Sequence, residues 1–280
     1  MIDLDRLIAQ AHDLEPLPAT TTRLAAVAAD PEAGLREVVE LVSFDQALTA
    51  RLLRYANSAT VASREPVTSV SAAVNRVGTG TVLALAMSSA VKVRLHEPLP
   101  AYGLTEGDLW RHSVACALAV DSLVRVGKLS VPPGTFSAAL LHDLGKLVLA
   151  RFLDDEVLTV LREAREQGGL TELQAEVEVL SVHHAELGGL IARDWDLPES
   201  IVDGITHHHD ADPGDDRVGA AVHLADMVAH AAAGAGAAER PGLAEALDAA
   251  ASRLGIAPAR LDLVRQAVSD GLEERVARYS

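Results

Sequence analysis

Apolar residues in this chain recur at intervals of three and four rather than two, and that spacing restricts the fold more than any other feature. A stripe with that period covers one face of an α-helix, whereas a half-buried strand needs strict alternation. Leu48, Leu52, Leu53 and Ala56 make one such face. Alanine and leucine dominate the sequence, and both favour helix. Only 3% of the residues are aromatic. Start and stop signals punctuate the pattern. Asp45 is placed to cap the helix that carries Leu48, and Ser69 to cap Ser71 to Val77 with Gly78 as the stop. Thr105 precedes a long helix to about Val126, closed by Gly127. Thr135 precedes another that runs to about Leu153. Thr171 and Gln174 have the spacing of a capping box. Pro198 suits the first turn of a helix to about His208, and Asp215 or Asp216 opens one more to about Ala233. An Ala/Gly stretch at 231–238 is expected to fray or loop, and helices over 243–254 and 258–278 follow it. No hairpin signal interrupts the series. The expected class is all-α.

Composition narrows the function. A chain of 280 residues, 49% hydrophobic and 23% charged, has enough material for one large globular domain or two small ones. Its longest apolar stretch, Thr81 to Leu95, contains serine and lysine, so no membrane span is expected. The first residues lack a basic segment followed by an apolar one, so no secretory signal is expected either. The single cysteine, Cys116, excludes an internal disulfide and any multi-thiolate zinc or iron–sulfur site. A reducing cytoplasm is the expected compartment. There are 24 basic and 40 acidic residues, and nearly all of the acidic excess falls in 101–280. Such a surface repels phosphate backbones, and no nucleic-acid partner is expected.

The residues that carry chemistry are polar groups set inside apolar helices. His112 follows Trp110 at the start of an Ala/Val/Leu helix. His142-Asp143 interrupts Ala138-Ala139-Leu140-Leu141 and Leu144. His183-His184 starts a helix, His207-His208-His209 ends one, and Asp226 sits inside an apolar run. A buried carboxylate is costly unless it is paired or binds a metal. Imidazole and carboxylate together are ligands for zinc, manganese or iron, and a helical bundle can bring them from four helices to one point. His12, His96 and Cys116 read as surface or core residues. His223 and His230 share a helical face with Asp226, but that position alone does not make them ligands.

The series His112, His142-Asp143, Asp226 resembles the HD phosphohydrolase pattern. Leu140-Leu141-His142-Asp143-Leu144-Gly145-Lys146-Leu147, then His184-Ala185-Glu186-Leu187-Gly188, resembles its HDOD (HD-related output domain) branch. So does Trp195-Asp196-Leu197-Pro198-Glu199-Ser200-Ile201, which leads to His208-His209. The N-terminal half agrees through Leu17-Pro18, Asp45-Gln46-Ala47-Leu48, Leu52 to Ser58, and Val67 to Gly78. The resemblance covers about residues 14–230. It implies an N-terminal helical subdomain (1–100) packed on an HD-like helical subdomain (101–230), with 231–280 as a helical extension.

The resemblance also implies a centre for one or two divalent ions of manganese, iron or zinc. His112, His142, Asp143 and Asp226 would hold the first, and His184, His208 and His209 a second. The related HD-GYP phosphodiesterases carry a Gly-Tyr-Pro signature after the paired histidines. Here His208-His209 are followed by Asp210-Ala211-Asp212-Pro213-Gly214. HDOD members are generally regarded as signalling or scaffold modules, so a regulatory module with a signalling protein partner is the first expectation. The alternative is a metal-dependent phosphohydrolase acting on a nucleotide or cyclic dinucleotide. In that case Lys146 would neutralise developing phosphate charge; its plainer role is an ion pair with Asp143. A partner surface is expected on the N-terminal bundle at Tyr55, Asn57 and Ser58, flanked by Arg51 and Arg54; the alternative reading of these residues is a packed core with a solvated arginine face. No sensor or receiver domain is recognisable, so input is expected from another protein or a small ligand.

Overall fold

A computed structural model describes residues 8–9, 11–12, 14–58, 61, 66–153, 155–210, 216–232 and 242–279. Among these residues there is no strand; one isolated bridge joins Leu99 to Leu104. Among the described residues the N-terminal bundle contains α1 (Ala19–Ala29), α2 (Leu35–Ser43), α3 (Gln46–Ala56), α4 (Val70–Val77) and α5 (Thr79–Leu95). The second bundle contains α6 (Asp108–Arg125), α7 (Thr135–Leu141), α8 (Gly145–Phe152), α9 (Asp155–Glu166), α10 (Glu172–Leu180), α11 (His184–Asp194), α12 (Glu199–Thr206) and α13 (Arg217–Ala232). Two further helices, α14 (Leu243–Arg253) and α15 (Pro258–Tyr279), pack back onto it. The all-α class and the packing of one bundle on the other are as the sequence implied.

Several caps sit where the residue types place them. Asp45 Oδ1 accepts from the Leu48 amide at 2.9 Å, and Leu48, Leu52 and Ala56 are buried. Ser69 Oγ accepts from the amide of Ala72, the third residue of a helix that begins at Val70, one residue earlier than expected. Gly78, at φ +81°, ends α4, and the chain bends by 104° into α5. Helix α5 is apolar nearly all round, which suits a helix enclosed by others. It packs on α1, α3 and α4 on one side and on α6, α7 and α15 on the other. The Thr81 to Leu95 run is therefore the seam between the bundles. No single helix among the described residues is long and apolar enough to cross a membrane.

Other boundaries differ from expectation. Helix α6 starts at Asp108, after Gly107 in the left-handed region, and Thr105 does not cap it. The Asp108 carboxylate instead accepts from the Thr105 amide and hydroxyl, both at 2.6 Å. The helix expected from Thr135 to Leu153 is two helices, broken at 142–144. Through the break the bonds tighten to i→i−3, from Leu144 to Leu141, Lys146 to Asp143 and Leu147 to Leu144. Gly145 then passes so close to α11 that a Cβ there would lie 1.9 Å from the His184 carbonyl oxygen. Pro198 is the cap residue of α12, outside its first turn, and α12 ends at Thr206, which leaves 207–209 in a turn. Asp216 Oδ1 accepts from the Val218 and Gly219 amides at the start of α13. Asp215 and residues 233–241 lie outside the described residues.

Helix α15 buries Leu261, Val264, Val268 and Leu272, a stripe of helical period, and packs along α6 and α13. Arg111–Glu273 and Arg275–Asp121 ion pairs fasten it to α6. Across the two bundles, Arg94 lies over the Trp195 ring at 5.4 Å, and His12 pairs with Asp194.

Candidate metal centre

Three histidines of the second bundle are oriented by one device. His142 Nδ1 lies 2.7 Å from the Ala139 carbonyl oxygen, His208 Nδ1 2.6 Å from that of Ile205, and His184 Nδ1 2.7 Å from Glu176 Oε2. An oxygen without a proton can only accept, so each Nδ1 donates. In the neutral ring Nε2 is then a lone pair, and metal-binding histidines are commonly held in this way. His208 Nε2 is buried and has no hydrogen-bond partner among the described residues. A buried polar atom left without a partner is costly. Here it faces other electron-pair donors, and a cation satisfies all of them together.

Two clusters gather most of the donors, and two further groups overlap them. His112, His142 and Asp226 each offer an atom within 4.8 Å of the others, and so do His184, His208 and His209; the overlapping groups are His142 with Asp143 and His208, and Glu172 with Glu176 and His184. In the first cluster His112 Nε2 is 3.2 Å from His142 Nε2. It is also 3.0 Å from Asp226 Oδ1, though misaligned for a hydrogen bond. In the second, His209 Nε2 is 2.9 Å from His184 Nε2. Ligands about 2.0–2.2 Å from one ion stand roughly 3–3.5 Å apart, so this spacing fits a first-row divalent metal. Asp143 reaches both clusters. Its Oδ2 is 3.4 Å from His142 Nε2 and 3.7 Å from His112 Nε2, and its Oδ1 is 3.3 Å from His184 Nε2. These seven residues come from α6, the α7–α8 break, the start of α11, the turn after α12, and α13.

Lys146 stands at the edge, with Nζ 3.0 Å from Asp143 Oδ2 and 2.9 Å from Glu172 Oε1. Glu172, Glu176 and Tyr102 are not among the residues expected from the sequence. Glu176 is buried; its Oε2 accepts from the His184 amide and ring, and its Oε1 accepts from the Tyr102 hydroxyl at 2.9 Å. The available signal was two glutamates one turn apart on α10, just before His183-His184. His230 lies 3.3 Å from Asp226 Oδ1, with its ring 4.5 Å from that of His112. His223 Nδ1 donates to the His208 carbonyl. His207 turns outward to Asp210. His183 caps α11 in a capping box with Glu186. Cys116 is buried, which raises its thiol pKa. His96 pairs with Glu106, away from the centre.

The electrostatics follow from burial opposed by charge. Burial favours protonated carboxyls, but Lys146 and His142 hold Asp143 well below the usual range. His230 and His112 likewise hold Asp226 down against its burial. Burial disfavours the imidazolium of His142, yet Asp143 outweighs it and the pKa is raised. Burial keeps His208 neutral, and burial with His184 nearby lowers His209 to about 3. Without metal, the carboxylates are balanced by Lys146 and by protons on histidine. A divalent ion takes the place of those protons when it binds. The centre is not sealed, since the side chains of His112 and His230 stay 18% and 23% exposed.

A family model for the HDOD domain matches residues 14–211. An uncharacterised protein of Treponema pallidum (strain Nichols) is 27% identical over 198 residues. That alignment covers 70% of this chain but only 38% of the relative's length. The fold is similar to an HDOD domain protein of unknown function from Geobacter sulfurreducens, 24% identical, with a TM-score of 0.68 and coverage of 99% of this chain and 98% of that one. It is also similar to a proposed phosphohydrolase from Shewanella amazonensis SB2B, 23% identical, with a TM-score of 0.69 and 98% of each chain covered. A proposed signal transduction protein from Marinobacter aquaeolei VT8 is 22% identical, with a TM-score of 0.66 and coverage of 100% of this chain and 60% of that one. At these identities the likeness of structures shows the fold alone.

Proposed function

The chain belongs to the HDOD family, and from that premise we propose that it is a bacterial signal-transduction module built around a divalent-metal centre. The observation that carries the metal reading is the orphaned Nε2 of His208, buried among imidazoles whose Nδ1 atoms are already committed. His112, His142, Asp143 and Asp226 would hold one ion. His184, His208 and His209 would hold a second, with Asp143 shared. The donor set is nitrogen and oxygen without thiolate, which suits manganese, iron or zinc.

Lys146 supports a regulatory role over a hydrolytic one. It is the cation nearest the centre, and two carboxylates already engage it. An incoming phosphate would have to compete with both. The module's output would then be a surface offered to a signalling protein in the cytoplasm. Arg51, Arg54 and Tyr55 on α3 remain our choice for part of it. The Asn57 side chain is committed to the Val67 backbone and serves the fold.

One observation favours the alternative, a phosphohydrolase of a nucleotide or cyclic dinucleotide. Asp143 presents one oxygen to each cluster, an arrangement suited to two ions. Such ions lower the pKa of bound water and clamp phosphoryl oxygens. The chain's own part would be to fix the ligands and exclude bulk water. The test is hydrolysis of bis(p-nitrophenyl) phosphate and of cyclic di-GMP by protein loaded with manganese, iron or zinc. The regulatory reading expects metal uptake with hydrolysis at background. Turnover that His142→Ala abolishes would overturn it in favour of the enzyme.

A further inference from the structure

His223 stands on α13 three residues before Asp226, beyond the residues that the family model matches. Its ring is half-buried, and its Nδ1 lies 2.7 Å from the His208 carbonyl oxygen. That oxygen carries no proton, so Nδ1 donates. The carbonyl belongs to the peptide that joins His208 to His209, two of the three histidines assigned to the second ion. No backbone amide among the described residues donates to it. The neighbouring groups of the turn are held by other bonds. The His207 amide donates to the Asp203 carbonyl at 2.8 Å, and the Asp210 amide to the His207 carbonyl at 2.9 Å. His208 Nδ1 donates to the Ile205 carbonyl. Glycines let α12 and its following turn close on α13. A Cβ at Gly204 would lie 2.5 Å from Val218 Cγ1, and one at Gly219 would lie 3.4 Å from His207 Cβ. Helix α13 is thus a backing for the turn, and His223 ties the two together at the level of the ligands.

We propose that His223 is a positioning residue for the second ion, acting through the His208–His209 peptide. The proposal rests on the two-ion reading of the centre. The orientation of one peptide plane sets ψ of the residue before it and φ of the residue after it. It therefore sets the directions in which both rings leave the turn. The rings of His208 and His209 lie 4.0 Å apart, and both reach the cluster of His184. Two adjacent side chains share a target in this way only for a narrow range of peptide orientations. Without the bond from His223 the carbonyl is free to turn. His208 keeps its bond to Ile205, so His209 is the ring that moves more. Helix α13 then serves both ions, through Asp226 as a ligand of the first and through His223 as a brace for the second. Groups that orient metal ligands in this way are worth roughly 10–100-fold in metal affinity.

The test is manganese binding by the full chain, stripped with chelator and titrated in competition with a chromophoric chelator, with ions per chain counted by mass spectrometry. His223→Ala is expected to bind the first ion as wild type does and the second at least tenfold more weakly. His223→Asn is expected to restore the second ion, because the asparagine amide nitrogen stands where Nδ1 does. His223→Gln is not, since its amide nitrogen reaches past that point to the position of Nε2. If His223→Ala fails to fold, the Asn and Gln variants carry the comparison. A second ion bound equally by wild type, Ala and Gln variants would overturn the proposal. Equal weakening of both ions would overturn it too, because it would mark a merely structural side chain, and so would an Asn variant no better than Gln. Wild type that binds fewer than two ions would overturn the two-ion reading itself, and the proposal with it.

Discussion

His207, His208 and His209 are identical in chemistry and adjacent in sequence, yet they occupy three environments. Helix α12 stops at Thr206, and the turn that follows sends His207 to Asp210 at the surface, His208 into the interior and His209 beside His184. Substitution should separate them. His208→Ala is expected to lose metal from the second cluster, whereas His207→Ala keeps it, as read by bound-metal analysis after dialysis. The reverse result would put the register wrong by one. Asp143 corrects a simpler picture. From the sequence it looks like a costly buried charge, whose loss would leave the metal-free fold unharmed. In the structure it neutralises buried Lys146, and deleting one partner of a buried pair costs about 3–5 kcal/mol. Asp143→Ala should therefore melt lower even in chelator; an unchanged melting temperature there would contradict the pairing. Glu172 gives a pH signature. Burial raises its pKa, but Lys146 more than offsets this and brings it from 4.5 to about 2. A carboxylate lowered on folding contributes stability that is complete above 4.5 and lost as pH falls through 2. The stability gap between wild type and Glu172→Gln should be at most about 3 kcal/mol near neutrality and close over that window. A gap that persists at pH 2 would contradict the assignment. The clustered histidines and aspartates were legible because a polar side chain in an apolar helix stands out. Glu176 and Tyr102 were not, since each acts through a neighbour and glutamate on an amphipathic helix is ordinary.

At the scale of elements, the break between α7 and α8 sets the geometry of the centre. Apolar periodicity runs through it without interruption, from Leu140 and Leu141 to Leu144 and Leu147, so the pattern read as one helix. The break comes from a contact that periodicity does not record. Gly145 meets the His184 carbonyl and the Gly188 amide at the crossing of α8 with α11. That crossing brings His184 to Asp143. Gly145→Ala should force the helices apart, costing about 1–3 kcal/mol or more from overpacking. Metal affinity should fall as well, even where circular dichroism shows a folded protein. Unchanged melting and unchanged metal uptake would mean that the close approach is not needed.

For the whole molecule, the bundle-on-bundle plan was readable from helix signals and from the family resemblance. The role of the last helices was not, because an amphipathic helix looks the same whether it covers its own chain or a partner. Helix α15 buries Leu261, Val264, Val268 and Leu272, and each such side chain is worth about 1.5–3 kcal/mol. Their sum rivals the whole stability of an ordinary domain, so the helix belongs to the fold. The central claim is that the second bundle holds a metal centre shared through Asp143. Its most direct test is metal content by mass spectrometry, on protein stripped with chelator and reloaded with manganese, iron or zinc. The expected result is up to two ions per chain in wild type, with His112→Ala and His209→Ala each losing one and Asp143→Ala losing both. Wild-type protein that retains no more metal than the Asp143→Ala variant would contradict the account.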